Sequence, residues 1–433
     1  MHPRVKPALR RGWRDLNTVQ FGMAPAHAMT LGPMDQATGH FLELLNGTRG
    51  LPLLREEARK MDLPDGHVDT LVDRLTSAGL LDDARGGGPA ADALRARKDV
   101  LDRLRPDQAS LSVTTSEPGE ALARLAARRA ARVRVLGAGR VGVTLAALLS
   151  AAGVGEVDVR DIGTVEPWDV APGGLPPESV GEHRAESARR AVRRAAPDRS
   201  PRHTPGPAEE SGDPGLSLVI LAPRDDVAIH APAPETARPF LSSGTPHLYA
   251  GVVEATGVVG PLVLPGETGC AGCLQETRAD RDPDWPRLVT QWRSGGRRRE
   301  VPACDLTLAG TVAALASAHA LAFLDGGVPA TAGARWELSL PALHWHARPV
   351  LPHPACPCGA AENTARQDME QSTEQDSENG AEIGAENRAQ KGKGEHTSKE
   401  GPPHETMAVR RSSKTSCRTP GAARPSGTWR AHV

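Results

Sequence analysis

The feature that most limits how this chain can fold is a glycine-rich turn between an extended segment and a helical one. Residues 137–142 read Gly-Ala-Gly-Arg-Val-Gly, directly after the stretch Arg132–Leu136 and before an Ala/Leu-rich segment that ends near Ala152. Glycine lets the backbone turn sharply and approach a phosphate at the first turn of a helix. A strand, a glycine turn and a helix in this order are typical of a nucleotide-binding α/β domain.

An acidic residue follows at the spacing that such a domain uses. Asp161 ends a second extended stretch, Glu156–Asp161, roughly 20 residues after the glycines, where a carboxylate would hold ribose hydroxyls. In the alternative interpretation the glycines only let strand and helix pack closely, and Asp161 is a solvated strand end. The pattern therefore indicates a nucleotide site at Gly137, Gly139, Gly142 and Asp161, either retained or inherited from an ancestor that bound a nucleotide.

Strand and helix patterns divide the chain into four regions. They alternate through residues 131–360, which predicts an α/β fold with a parallel, doubly wound sheet. Residues 1–85 hold two short strands and three amphipathic helices, which favours a small winged-helix-like domain, and a polar helical connector covers 86–130. The composition of residues 361–433, almost without Leu, Ile or Phe, predicts a disordered tail, and that of the loop 197–214 predicts disorder as well.

Composition argues against several classes of function. The 433 residues include 52 Lys+Arg and 53 Asp+Glu, a net charge of -1, and only 3% are aromatic. Neither a bulk attraction to nucleic acid nor a stacking surface for single strands is expected. The basic N-terminus lacks an apolar stretch behind it, and the apolar windows fall short of the roughly 20 residues of a membrane span. We therefore expect a soluble, cytoplasmic protein without nucleic-acid or membrane partners.

Five cysteines are candidates for chemistry. Cys270 and Cys273 form a CxxC pair, Cys356 and Cys358 form a CxC pair, and both pairs lie in Gly/Pro-rich turns. Two such pairs can complete a tetrahedral zinc site, although free thiols or disulfides would give the same pattern. Cys304 follows a run of arginines and precedes an Ala-rich helix. Nearby cations could activate its thiol, or it could be a small buried residue at a helix start.

Several motifs together resemble the ThiF/MoeB family, the relatives of ubiquitin-activating enzymes. Residues 133–166 resemble the family's nucleotide-binding segment, and VGEHRAESAR, PHLYAGVVEATGVVGPLVLPGETGCAGCL and HPACPCG follow in the family's order, so that the resemblance covers about 130–360. It implies binding of ATP·Mg²⁺, adenylation of the C-terminal carboxylate of a small protein, and a homodimer around a structural zinc.

Individual residues are assigned by their place in these motifs. The resemblance puts the phosphates against the three glycines, the ribose at Asp161, Mg²⁺ or phosphate at Asp225, and zinc on the four paired cysteines. Arg184 replaces the family's lysine, and Cys304 matches the thiol that takes the activated acyl group in some members. The family's Asn-Leu-x-Arg-Gln segment reads Asp169–Gly174 here, so its phosphate-contacting arginine is missing.

The N-terminal region resembles the PqqD-like module that binds leader peptides of ribosomally made peptides. Its hydrophobic spacing and the turn Leu45–Arg49 are similar, and in such modules the leader adds as a strand to a sheet edge, here near residues 17–31. The two resemblances together favour a protein of peptide modification. It is either an adenylate-forming enzyme or a catalytically degenerate partner that presents a leader peptide to a separate cyclodehydratase.

Overall fold

The structure is a computed structural model that describes residues 1–198, 215–294, 301–366 and 369. Almost all of the predicted disordered tail and of the predicted loop at 197–214 lies outside the described residues. The first tail residues, 361–366, are helical and not disordered as predicted, and Asn363 Nδ2 donates to the Gly266 carbonyl at 2.9 Å.

Residues 1–85 build two small sheets and three helices around a core of their own. In chain order the elements are β1 Pro3–Val5, β2 Arg11–Asp15, β3 Thr18–Phe21, β4 Met29–Leu31, α1 Gln36–Phe41, α2 Leu51–Lys60, α3 His67–Ser77 and β5 Leu81–Asp83. The antiparallel order β2-β3-β4 leaves β2 and β4 at the sheet edges, and β1 pairs with β5. Phe21, Phe41, Leu54 and Leu75 from strands and helices share the buried core. Strands β3 and β4 and all three helices match the sequence prediction.

The segment between about 86 and 130 is more than a polar connector. It forms four helices: α4 Gly88–Arg95, α5 Lys98–Arg103, α6 Arg105–Thr114 and α7 Glu120–Arg128. Leu94, Leu104 and Leu125 are buried together in a core of their own. The apolar positions were hard to recognise because the helices are short and α4, α5 and α6 bury only one or two apolar residues each. The segment is also tied to the N-terminal region, since the buried Lys6 Nζ donates to the Thr115 carbonyl at 2.5 Å.

The remaining residues form an α/β domain around one seven-stranded sheet. Its elements are β6 Arg132–Leu136, α8 Arg140–Ala151, β7 Glu156–Arg160, α9 Arg184–Ala195, β8 Leu218–Leu221, α10 Asp226–His230, α11 Pro234–Ser242, β9 His247–Val253, β10 Thr256–Val263, α12 Ala271–Arg281, α13 Trp285–Ser294, α14 Leu306–Leu324, β11 Ala334–Ser339 and β12 His344–Pro349. The sheet order is β12-β11-β10-β9-β8-β6-β7. Strands β7, β6, β8 and β9 are parallel, as predicted for a Rossmann-like domain.

The other half of the sheet, from β9 through β10 and β11 to β12, is antiparallel. Strands β9 and β10 are joined by Glu254 and Ala255, with φ angles of 46° and 58°. Two consecutive left-handed residues make the tight hairpin that reverses the chain at once. Glu-Ala is not the Asn-Gly or Asp-Gly pair that usually marks such a turn, so the sequence pattern did not predict this hairpin turn.

Helices α8 and α14 cover one face of this sheet. Leu145, Leu149, Val312 and Ala316 are fully buried between the helices and the strands. Of the helices in the described part of the chain, α14 alone is long and apolar enough to cross a membrane. One side of α14 packs on α8, β9 and β10.

Candidate functional site

The glycine turn connects the carboxyl end of β6 to α8, and its first and third glycines are required by packing. Gly137 has φ +116°, and a Cβ there would lie 2.0 Å from the carbonyl oxygen of Ala222. A Cβ on Gly142 would lie 2.0 Å from the Gly137 oxygen. Any other residue would push the strand and the helix apart. For these two positions, close packing is sufficient to explain glycine.

Gly139 is different, because its open side faces a charged side chain. A Cβ on Gly139 would meet only Arg224, whose Cγ would be 2.8 Å away. Gly139 is the N-cap of α8, and no side chain caps that helix end. In dinucleotide-binding folds the second glycine is the one that lets the pyrophosphate approach the backbone. Arg224 lies directly after β8, the parallel neighbour of β6, and sequence analysis did not identify it.

Asp161 lies beside the turn, where the sequence predicted it. Its Oδ2 accepts a hydrogen bond from the Ala138 amide at 2.6 Å, and its Oδ1 accepts one from Arg184 Nη1 at 2.9 Å. Asp161 is therefore nearly buried and holds the glycine turn in place. The interpretation as a solvated strand end is wrong.

Arg184, at the first position of α9, points inward. Its Nη1 also donates to the Ile162 carbonyl at 2.7 Å, its Nη2 donates to the Thr164 carbonyl, and its Nε donates to Asp169 Oδ2 at 3.2 Å. The side chain is 6% exposed. With these bonds and the one to Asp161, Arg184 holds the segment after β7 in place.

A chain of alternating charges continues from Arg184 to the surface. Asp169 also accepts a hydrogen bond from Arg224 Nε at 2.8 Å, and Arg224 Nη2 pairs with Glu166. Burial alone would lower the pKa of Arg224, but Glu166 and Asp169 outweigh it and raise that pKa. In turn, the hydrogen bond from Arg224 lowers the pKa of Glu166. Glu166 and Arg224 are therefore both ionised at neutral pH.

Asp225 is exposed and caps the short helix α10, since its Oδ1 accepts from the Val227 amide at 2.8 Å. The last two residues of this helix and the two that follow it are fixed by side chains from three other elements. Consecutive carbonyls accept one bond each: Ile229 from Arg335, His230 from Arg278, Ala231 from Arg293 and Pro232 from Gln275. Because the end of α10 is anchored this firmly, the position of Asp225 at its start is also defined.

A cavity of about 310 Å³ opens beside Asp225 at the carboxyl ends of β6, β8 and β9. Its wall is mostly aliphatic and includes Leu136, Leu221, Pro223 and Ala231. The Tyr249 hydroxyl on this wall is buried and has no hydrogen-bond partner among the residues that the structure describes. The chain continues from β6 to β7 on one side and from β8 to β9 on the other side. The cavity therefore lies at the point in the strand order where open α/β sheets bind ligands.

Cys304 lies just before α14, half-buried, and its carbonyl accepts a hydrogen bond from Arg140 Nη1 at 2.9 Å. Burial raises the pKa of the Cys304 thiol, and the charge of Arg140 offsets only part of this effect. A raised pKa leaves the thiol protonated at neutral pH. The arginine run that precedes Cys304 in the sequence lies outside the described residues, so both interpretations of this thiol stay predictions.

The four paired cysteines meet in one cluster, as the sequence predicted. Their Sγ atoms lie within 4.8 Å of one another, with separations of 3.9 Å for Cys270–Cys273, 3.6 Å for Cys270–Cys356 and 3.5 Å for Cys273–Cys358. Zn–S bonds of about 2.3 Å in a tetrahedron require sulfurs about 3.8 Å apart, so this cluster could hold such a metal ion. A Cβ on Gly272 would lie 2.7 Å from Cys356 Sγ, so glycine lets the second pair approach the first.

The family of the chain follows from a comparison with family models. The model described as "ThiF family" matches residues 116–359, more than half of the chain, and includes the glycine turn, Asp225 and all four clustered cysteines. The chain belongs to the ThiF family. A comparison with curated proteins found no match. This membership confirms the fold that the motifs predicted, and the match begins before β6 and so includes helix α7.

Solved structures show the same fold at low identity. The structure of E. coli MccB with ATP is 16% identical, with a TM-score of 0.59 over 83% of this chain and 99% of MccB. The structure of the microcin C7 biosynthetic enzyme MccB with N-formylated MccA is 14% identical, with a TM-score of 0.58 over 83% of this chain and 100% of that one. The heterocyclase TruD is 18% identical, with a TM-score of 0.54 over 84% of this chain but 44% of TruD. The match therefore covers nearly the whole length of MccB but less than half of TruD.

Proposed function

We propose that this ThiF-family protein binds ATP at the glycine turn and adenylates the terminal carboxylate of a ribosomally made peptide. The observation that carries the proposal is the arrangement around Gly139. The uncapped start of α8, Asp161 and Asp225 all lie at the carboxyl ends of adjacent parallel strands. Amide groups at a helix start attract phosphate, and carboxylates at this edge suit a ribose and a divalent cation.

The residues divide into separate tasks in this proposal. Gly139 and the first turn of α8 would face the phosphates, Asp225 would bind Mg²⁺ at the exposed start of α10, and Asp161 would hold the ribose with its remaining acceptor capacity. Adenylation joins a carboxylate oxygen to the α-phosphate and releases pyrophosphate, so negative charge builds up near the loop. Cationic and amide donors that are already in place stabilise such charge without reorganisation.

The peptide partner is proposed from the N-terminal region and from MccB. The structure of MccB with N-formylated MccA matches 83% of this chain and 100% of MccB. In this chain the edge strand β4 lies within residues 17–31, where an added strand was predicted, and β2 is the other edge. Main-chain hydrogen bonds along such an edge bind extended peptides. The homodimer and the cyclodehydratase partner stay predictions.

The cysteine cluster is proposed to hold a structural zinc. The four sulfurs fit a closed tetrahedral site in size and leave no position for a substrate. The ion would join α12 to the segment after β12, in addition to the contact of His353 Nε2 with Asp280 Oδ2 at 2.9 Å. Reduced thiols of this kind also agree with the predicted cytoplasmic location.

A second function is favoured by Arg184. Its four hydrogen bonds bind it to the protein, so it cannot serve as the lysine that the family places near the phosphates. A protein without that contact could still bind a leader peptide and present it to a separate enzyme, and the match to part of TruD agrees with such a role.

Equilibrium binding of nucleotides to the full chain separates these functions. The proposal predicts that ATP with Mg²⁺ binds, that Asp225→Asn weakens this binding about tenfold or more, and that NAD does not compete. Asp226→Asn, one residue further along α10, is the matched control. If neither ATP nor NAD binds while peptides that are encoded near the gene do, the presenting function is correct.

A further inference from the structure

Two arginines lie near the glycine turn, and their surroundings differ. Arg184 is 6% exposed and has four hydrogen bonds to carboxylates and carbonyls. Arg224 is 26% exposed, and among the residues that the structure describes it pairs with the carboxylates of Glu166 and Asp169. Of the two, Arg224 alone has contact with both the solvent and the turn.

The direction of Gly139 shows what Arg224 faces. The space into which a Cβ of the second glycine would project is the space that a pyrophosphate enters in this class of fold. Here that space is bordered by Arg224, whose Cγ, Cδ and Nε would lie 2.8, 3.5 and 3.8 Å from such a Cβ. The stem of Arg224 thus lies over the phosphate side of the turn, and the guanidinium begins there at Nε.

The two carboxylates on Arg224 are not equivalent. Asp169 is 4% exposed and also bound by Arg184, so it is a fixed anchor for Arg224 Nε. Glu166 is 39% exposed and pairs with Nη2 at the surface. An exposed ion pair contributes little stability, because water solvates both groups well once they separate. Arg224 can therefore exchange Glu166 for a phosphate oxygen while Asp169 keeps its stem in place.

We infer that Arg224 is the phosphate-contacting arginine of this nucleotide site. It supplies from the end of β8 the positive charge that the segment Asp169–Gly174 lacks, and Arg184 supports the loop instead. A guanidinium presents paired donors that match phosphate oxygens, and it stays charged. The inference depends on the proposed nucleotide binding, and it assigns a specific residue to the recognition of the phosphates.

The test compares ATP with adenosine, which has no phosphates, in equilibrium binding to the full chain with Mg²⁺. For Arg224→Gln we expect ATP affinity to fall about tenfold to hundredfold, the usual loss for a charged hydrogen bond. Adenosine affinity should stay the same, which also shows that the variant is folded. Arg224→Lys should recover part of the ATP affinity. Arg190→Gln, an exposed arginine of α9 paired with Glu182, is the matched control and should bind both ligands normally.

Two results would overturn the inference while nucleotide binding itself stands. Equal ATP affinity in wild type and Arg224→Gln would show that the arginine does not contact the phosphates. Tighter ATP binding in Arg224→Gln would show that the side chain only covers the turn. If the wild type binds neither ATP nor adenosine, the proposed function fails first and the inference falls with it.

Discussion

The Arg184 guanidinium donates to the Asp161 carboxylate over 2.9 Å, and both side chains are almost fully buried. The same carboxylate accepts from the Ala138 amide, so this ion pair sets the position of the glycine turn. Removing one partner of a buried pair leaves the other charge without compensation, which typically costs about 3–5 kcal/mol.

We therefore expect Arg184→Met to lower the free energy of unfolding by about 3–5 kcal/mol, measured by urea denaturation with an unchanged m-value. Arg190→Met on the same helix removes an exposed ion pair and should change stability by less than about 1 kcal/mol. Equal stability of the two variants would show that Arg184 does not support the loop.

A second buried pair joins α7 to the end of α14. Arg128 Nε and Nη2 donate to the two carboxylate oxygens of Asp325 at 2.8 and 2.6 Å. Arg128→Met and Asp325→Leu should each destabilise by about 3–5 kcal/mol, while the double variant should cost clearly less than their sum. A double-mutant cycle in urea measures the difference, and strict additivity would contradict the coupling.

His247 makes stability depend on pH. It is fully buried on β9 between Phe240 and Tyr249, and burial lowers its pKa from 6.5 to about 4. As pH falls below about 6.5, His247 binds a proton in the unfolded chain but not in the folded protein. The free energy of unfolding therefore decreases down to about pH 4. Relative to His247→Phe, the wild type should lose about 2 kcal/mol between pH 7.5 and pH 5. Parallel pH profiles for the two proteins would contradict a buried neutral imidazole.

The cysteine cluster predicts about one tightly bound zinc per chain in metal analysis. Cys273→Ser should lose the metal and lower the melting temperature, because four ligands close the site and three do not. Cys304→Ser lies outside the cluster and should keep both the metal and the stability of wild type. Less than about half a zinc per chain in freshly purified wild type would exclude a structural zinc.

Local patterns were enough to predict the glycine turn, the position of Asp161 and the cysteine cluster, because each depends on residues close in sequence or on a strict spacing. The charge chain was not predictable in this way. Arg224, Asp169 and Arg184 come from three separate segments that meet only when β6, β7 and β8 align. The sequence could show that Arg184 kept a positive charge, but not that this charge points inward.

The strands of the large sheet also differ in how well the sequence predicted them. The parallel strands were recognisable from their alternation with helices. The antiparallel pairing of β9 with β10 depends on the left-handed turn at Glu254 and Ala255. Neither residue type favours such a turn, so the sequence did not predict it. The core formed by helices α4 to α7 was not predicted, because each helix shows only a weak apolar pattern in the sequence.

ATP–pyrophosphate exchange tests the central claim most directly, with the full chain, Mg²⁺ and synthetic peptides that are encoded beside its gene. The account predicts peptide-dependent exchange that Asp225→Ala reduces at least about a hundredfold and that Asp226→Ala leaves near wild type. No exchange with any of these peptides, although they bind the chain, would contradict adenylation and identify a protein that presents its peptide to another enzyme.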